Sequence, residues 1–164
     1  GTFVIRGVFE GRYQLYLSAS SRGASSDLYV AGIRQGAQDL RNTGVIDVRG
    51  STLPIEIQLK AGAGIIQGVV EGPAGTVPPY ADVVLVPQFP FRENVLFYGQ
   101  TTISDKGQFK FEGVAPGEYK VFAFERLADT AEQNAAFIGR YETLGEAVTA
   151  RPQATTEIKV RLVR

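Results

Sequence analysis

GQFKFEGVAPGEYKVFAFE, residues 107–125, reads as a strand, a turn and a second strand. Phe109 and Phe111 alternate with Gln108, Lys110 and Glu112. One face is therefore apolar and the other wet, the period-2 mark of a half-buried strand. Pro116-Gly117 then reverses the chain, because proline presets its backbone for a turn and glycine takes positive φ at no steric cost. Tyr119, Val121 and Ala123 carry the apolar face onward, so the stretch predicts a hairpin. The chain opens with a related stretch, GTFVIRGVFEGRYQLYL, residues 1–17. Laid on residues 107–121, residues 1–15 give six identities: Gly1/Gly107, Phe3/Phe109, Gly7/Gly113, Val8/Val114, Gly11/Gly117 and Tyr13/Tyr119. An internal repeat is read before anything else, because it sets the architecture. This one predicts that the chain enters partway through a first copy, whose early strands would come from a longer tandem chain or from a neighbouring molecule, unless the strands present suffice.

Seventeen basic residues balance seventeen acidic ones, with no long run of either sign, so binding to nucleic acid through a basic surface is not expected. No apolar run approaches the ~18 residues of a membrane-spanning helix. Cysteine and histidine are both absent, which removes the ordinary zinc sites and both the Cys–His and the Ser–His–acid forms of nucleophilic catalysis. No enzyme activity, cofactor or metal is expected. Nineteen glycines and eight prolines punctuate short apolar runs, as in an all-β chain with many turns.

Taken in order, residues 1–17 predict two strands and their turn, and Ser18–Ser26 a flexible polar loop. Leu28–Val30 resumes β character, Gly32–Asn42 reads as a polar connection, and Val45–Arg49 is a short strand. Leu53–Lys60 alternates cleanly and should close a first sandwich. Ala61–Gly64 is a tight joint. Beyond it, strands are expected over Ile65–Glu71, Tyr80–Val86, Val95–Ser104, the 107–125 hairpin, Glu146–Arg151 and Thr156–Val163. Ala128–Thr143 predicts one helix of two to three turns, with Asp129 or Thr130 as its cap and Glu132 at capping-box distance. The expected organisation is the later part of one β-sandwich over residues 1–60 and a complete one over 61–164: tandem Ig-like or prealbumin-like sandwiches, with one short helix in the second.

The 107–125 stretch resembles the signature hairpin of carboxypeptidase regulatory-like domains, a prealbumin-like β-sandwich family related to collagen-adhesin B-type repeats and starch-binding-like domains. ADVVLVP (Ala81–Pro87) and TISDKGQF (Thr102–Phe109) are similar to the strands that precede that hairpin in the family. The run from Tyr29 to Val70 looks like a junction between tandem copies in bacterial secreted or envelope proteins. The resemblance implies an accessory module with an extracellular, periplasmic or cell-envelope location, and it does not imply peptidase activity. Starch-binding relatives use Trp or Tyr platforms against sugar rings, and tryptophan is absent here.

Phe89-Pro90-Phe91-Arg92, followed by Phe97 and Tyr98, is the most suggestive candidate site. The rings could form an exposed aromatic patch for a protein or glycan partner, or fold back as a lid over the sandwich end. Asp105, Glu125, Asp129 and Glu132 suit turn and helix-start positions better than a calcium cluster. Phe3, Gly7, Gly11 and Tyr13, with Phe109, Gly113, Gly117 and Tyr119, are expected to be structural positions of the repeat. Three functions stay open: a non-catalytic spacer, scaffold or adhesive surface packed against neighbouring repeats of its own chain; a carbohydrate- or peptide-binding module; or a self-assembling filament subunit whose incomplete first copy is closed by a neighbour's strand.

Overall fold

The computed structural model describes residues 1–17, 27–50 and 53–163. The strands are β1 (Gly11–Gln14), β2 (Leu28–Gln35), β3 (Gln38–Asp39), β4 (Val45–Val48), β5 (Ile55–Ala61), β6 (Gly64–Glu71), β7 (Asp82–Pro87), β8 (Gly99–Thr102), β9 (Gln108–Val114), β10 (Gly117–Phe124), β11 (Glu146–Ala150) and β12 (Thr155–Val163). Among the described residues the one α-helix, α1, spans Ala135–Gly139. The chain is mostly β, and among the described residues no helix is long and apolar enough to cross a membrane. The serine-rich stretch 18–26 lies outside the described residues.

β7 is apolar almost throughout because it is covered on both faces. Val83 and Leu85 join Tyr119, Val121 and Ala123 of β10, Ile66 and Val70 of β6, Phe109 and Phe111 of β9 and Val160 of β12 in the main core. Val84 and Val86 turn the other way, with Phe122 and Phe124, and are capped by Ile138 of α1. Full burial of each such side chain stabilises the fold by roughly 1.5–3 kcal/mol. The sheet runs β8-β7-β10-β12-β6-β9, with β11 beside β10; β12 is parallel to both of its neighbours. Strands β1 to β5 form two smaller sheets, β1-β4 and β3-β2-β5.

Five details differ from the sequence expectation. β9 and β10 are not a hydrogen-bonded hairpin: β9 pairs with β6, while β10 pairs with β7, β11 and β12. The Gly113–Gly117 turn instead carries the chain from β9, on the far edge of β6, to β10, and Phe109, Phe111, Tyr119 and Val121 share the main core. Residues 1–10 form no strand, because no described strand lies beside them to pair with. The polar run after Val30 is not a connection: a bulge between Val30 and Gly32 lets β2 continue to Gln35, and Gly36, at φ +57°, turns the chain into β3. Val95–Phe97 is a 3-10 turn, because the Asn94 side chain accepts the Leu96 amide, and β8 begins only at Gly99. The helix is shorter than expected. Thr130 is left-handed at φ 63°, a 3-10 turn occupies Ala131–Gln133, and the cap is Asn134, whose Oδ1 accepts from the amides of Ala136 and Phe137.

Candidate functional site: an unfilled apolar groove

The two related stretches adopt the same local geometry. Tyr119 donates its hydroxyl to the Ala115 carbonyl at 2.8 Å, and Tyr13 donates to the Phe9 carbonyl at 2.9 Å, four residues back in each case. Gly7 and Gly113 both sit in the left-handed region, at φ +71° and +70°. Each tyrosine ring lies 3.6 Å from where a Cβ would stand on the glycine two residues before it, Gly11 or Gly117. Pairing agrees too. β1 meets β4 with Gly11 opposite Val48 and Tyr13 opposite Ile46, and β10 meets β11 with Gly117 opposite Ala150 and Tyr119 opposite Val148. A tyrosine stapled to the backbone at the corner between layers is a known sandwich device.

What surrounds the two tyrosines differs. Tyr119 is 2% exposed, covered by the main core that β6 and β9 help to build. Burial pushes its hydroxyl pKa well above the ordinary tyrosine value, against a smaller lowering by the Arg41 charge. Tyr13 is 39% exposed. Phe3, Val4, Ile5, Val8 and Phe9 are exposed as well, although Phe3 is the counterpart of buried Phe109. β5 has β2 on one edge, and among the described residues its other edge carries no strand. Between these elements lies an open groove of about 2360 Å³, lined by Phe3, Ile5, Val8, Tyr13, Ile57 and Leu59 among others. Spacing alone could not foretell this groove, because it depends on which strands pair with β5 in the fold.

The aromatic loop borders the same groove through Leu96, Phe97 and Tyr98, and its rings face mostly inward. Phe89 is 90% exposed. The Phe91 ring lies 4.8 Å, centroid to centroid, from that of buried Phe97 at a tilt of 36°, and the Arg41 guanidinium sits 4.5 Å from the Phe91 ring centroid. Arg92 pairs with Glu142 at 3.0 Å, and Tyr98 donates to the Arg92 carbonyl at 2.7 Å. Asn94, fully buried, donates to the Arg41 carbonyl at 2.7 Å, and Leu96 packs on the small core of Ile33, Leu40 and Ile46. The loop therefore ties residues 33–46 to the larger sheet. Four residues of this bracket, Arg41, Asn94, Lys120 and Glu142, escaped the sequence reading, because their contacts join positions far apart in the chain. The Asn-x-Leu capping pattern at Asn94 was the one local sign. Burial alone would raise the Glu142 carboxyl, but hydrogen bonds from Lys120, at 2.8 Å, and Arg92 outweigh it and hold the group below its ordinary value.

The acids Asp105, Glu125, Asp129 and Glu132 are not brought together as a cation site: among the described residues no group of three or more His, Cys, Asp or Glu is placed to hold a metal. No protein-family model matches the chain, and no curated protein does. Solved structures similar to it include the Bacillus anthracis TIE protein, at 14% identity and a TM-score of 0.41, over 71% of this chain and 22% of that one. The major pilin subunit BcpA of Bacillus cereus matches at 10% identity and 0.41, over 84% of this chain and 56% of that one. A candidate carbohydrate binding protein of Pseudomonas aeruginosa matches at 12% and 0.41, over 61% of this chain and 88% of that one. The chain thus spans well under two thirds of the first and second of these. Likenesses at this level carry no argument about function.

Proposed function

We propose that this chain is a non-catalytic structural and interaction module of a bacterial secreted or cell-envelope protein, engaging its partner through the open groove. One observation carries the reading. Large apolar side chains that are core in the 64–163 sheet have counterparts standing in solvent around Tyr13. Monomeric proteins rarely leave contiguous apolar patches beyond a few hundred Å² exposed, and larger ones mark interaction sites. The tandem arrangement, with residues 1–60 and 61–164 as successive copies, is part of this proposal and is supported by the matching tyrosine corners. The envelope location rests on the resemblance of the 107–125 stretch. A glycan- or peptide-binding role for the Phe89–Tyr98 loop gains less, since Phe89 is the one ring of that loop fully in solvent.

An apolar fluorescent dye tests the reading. The purified chain is expected to take up the dye, and Leu59→Asp, at an exposed groove position, is expected to reduce uptake several-fold with an unchanged near-ultraviolet circular dichroism spectrum. No uptake by the parent chain would overturn it.

A further inference from the structure

Resting on the reading of the groove as a docking site, we infer that its occupant is a single extended strand with the chemistry of β6, running parallel to β5 along the edge that β2 leaves open. The larger sheet supplies the template. There β12 is the strand that alternates as β5 does, with Ile158, Val160 and Leu162 in place of Ile55, Ile57 and Leu59. β6 lies parallel along β12 from Thr155↔Ile65 to Arg161↔Glu71, and it sends Ile66 and Val70 into the core. β9 then pairs antiparallel on the far edge of β6. Residues 2–8, TFVIRGV, correspond to β9, QFKFEGV, and form no strand. One inserted strand would thus satisfy two edges at once, with β5 on one side and residues 2–8 on the other.

The edge is also continuous with an interface already in the molecule. At the joint between β5 and β6, Asp27 accepts the amides of Gly62 and Ala63 on the β2 side. Gln153, just ahead of β12, donates to the Gly62 carbonyl. The open edge of β5 therefore runs on from the side of the ribbon that carries the β6–β12 ladder, where pairing is parallel.

The template specifies composition as well as direction. A Cβ on Gly68 would collide with the Ile158 carbonyl oxygen and press on the Phe109 ring. The occupant therefore needs a glycine where it passes Ile55, with β-branched residues two positions to either side. A strand of this kind gains main-chain hydrogen bonds from the edge and specificity from alternate side chains, the general mode of strand addition.

The test uses the full chain and a fluorescent peptide of residues 62–72, GAGIIQGVVEG. Saturable binding is expected, with slowed hydrogen exchange in β5 and in residues 2–8 together. A Gly68→Val version of the peptide is expected to bind about tenfold more weakly or worse. Dye uptake without peptide binding would overturn this inference while leaving the groove as a docking site; failure of both would remove the groove itself. Equal binding by the two peptides would overturn the assigned register. A chain whose mass doubles with concentration and which then excludes the peptide would overturn it too, because a second copy would be the occupant.

Discussion

Tyr13 and Tyr119 make the same bond in different surroundings, so removing the hydroxyl should separate geometry from burial. Tyr119→Phe leaves the buried Ala115 carbonyl without its partner and should cost about 1–3 kcal/mol. Tyr13→Phe, where water can replace the hydroxyl, should cost under about 1 kcal/mol. Urea midpoints of the two variants check the difference. Glu142 gives a pH-dependent counterpart. Its folded pKa lies below its unfolded one, so its contribution is present above the ordinary glutamate value of about 4.3 and is lost as pH falls through the folded value. Glu142→Gln should be less stable than the parent at pH 7, with the gap narrowing as pH falls below the ordinary glutamate value, in melts across the acid range. The tyrosines and their glycines were legible in the sequence because the same spacing occurs twice. Arg41, Lys120 and Glu142 were not, and the local capping pattern at Asn94 carries no sign of that residue's contact to Arg41, 53 residues apart.

Elements with one strong periodic face came through the sequence best. β5, β9 and β12 alternate, and each takes up the strand expected of it. The layer assignment of β9 and β10 did not come through, because a strand-turn-strand pattern has the same alternation whether the strands pair or face each other across a core. α1 shows the opposite limit: capping competition between Asp129, Thr130 and Asn134 is settled by the left-handed Thr130, which closes one turn before the next begins. Asn134→Ala should therefore weaken the segment by about 1 kcal/mol, and Asp129→Ala should have little effect, as thermal melts would record. In β6, Gly68→Ala should disrupt the β6–β12 ladder and lower the thermal midpoint sharply, because the added carbon meets backbone rather than a movable side chain.

Across the whole molecule, two tyrosine corners of one geometry stand beside a filled core and an unfilled one. Dispersion and burial stabilise the first; around the second the apolar side chains stand exposed. An uncovered strand edge is a hazard that proteins normally blunt, and among the described residues the edge of β5 that carries no strand adjoins the exposed apolar residues of the groove. The most direct test is residue-resolved hydrogen exchange of the full chain, comparing β5 with β6, which pairs with β12 on one edge and β9 on the other. The expected result is protection along β6 on both sides, with fast exchange at the alternate β5 amides that face away from β2. Protection of β5 equal to that of β6 would mean that its edge is already covered, and would contradict the open groove.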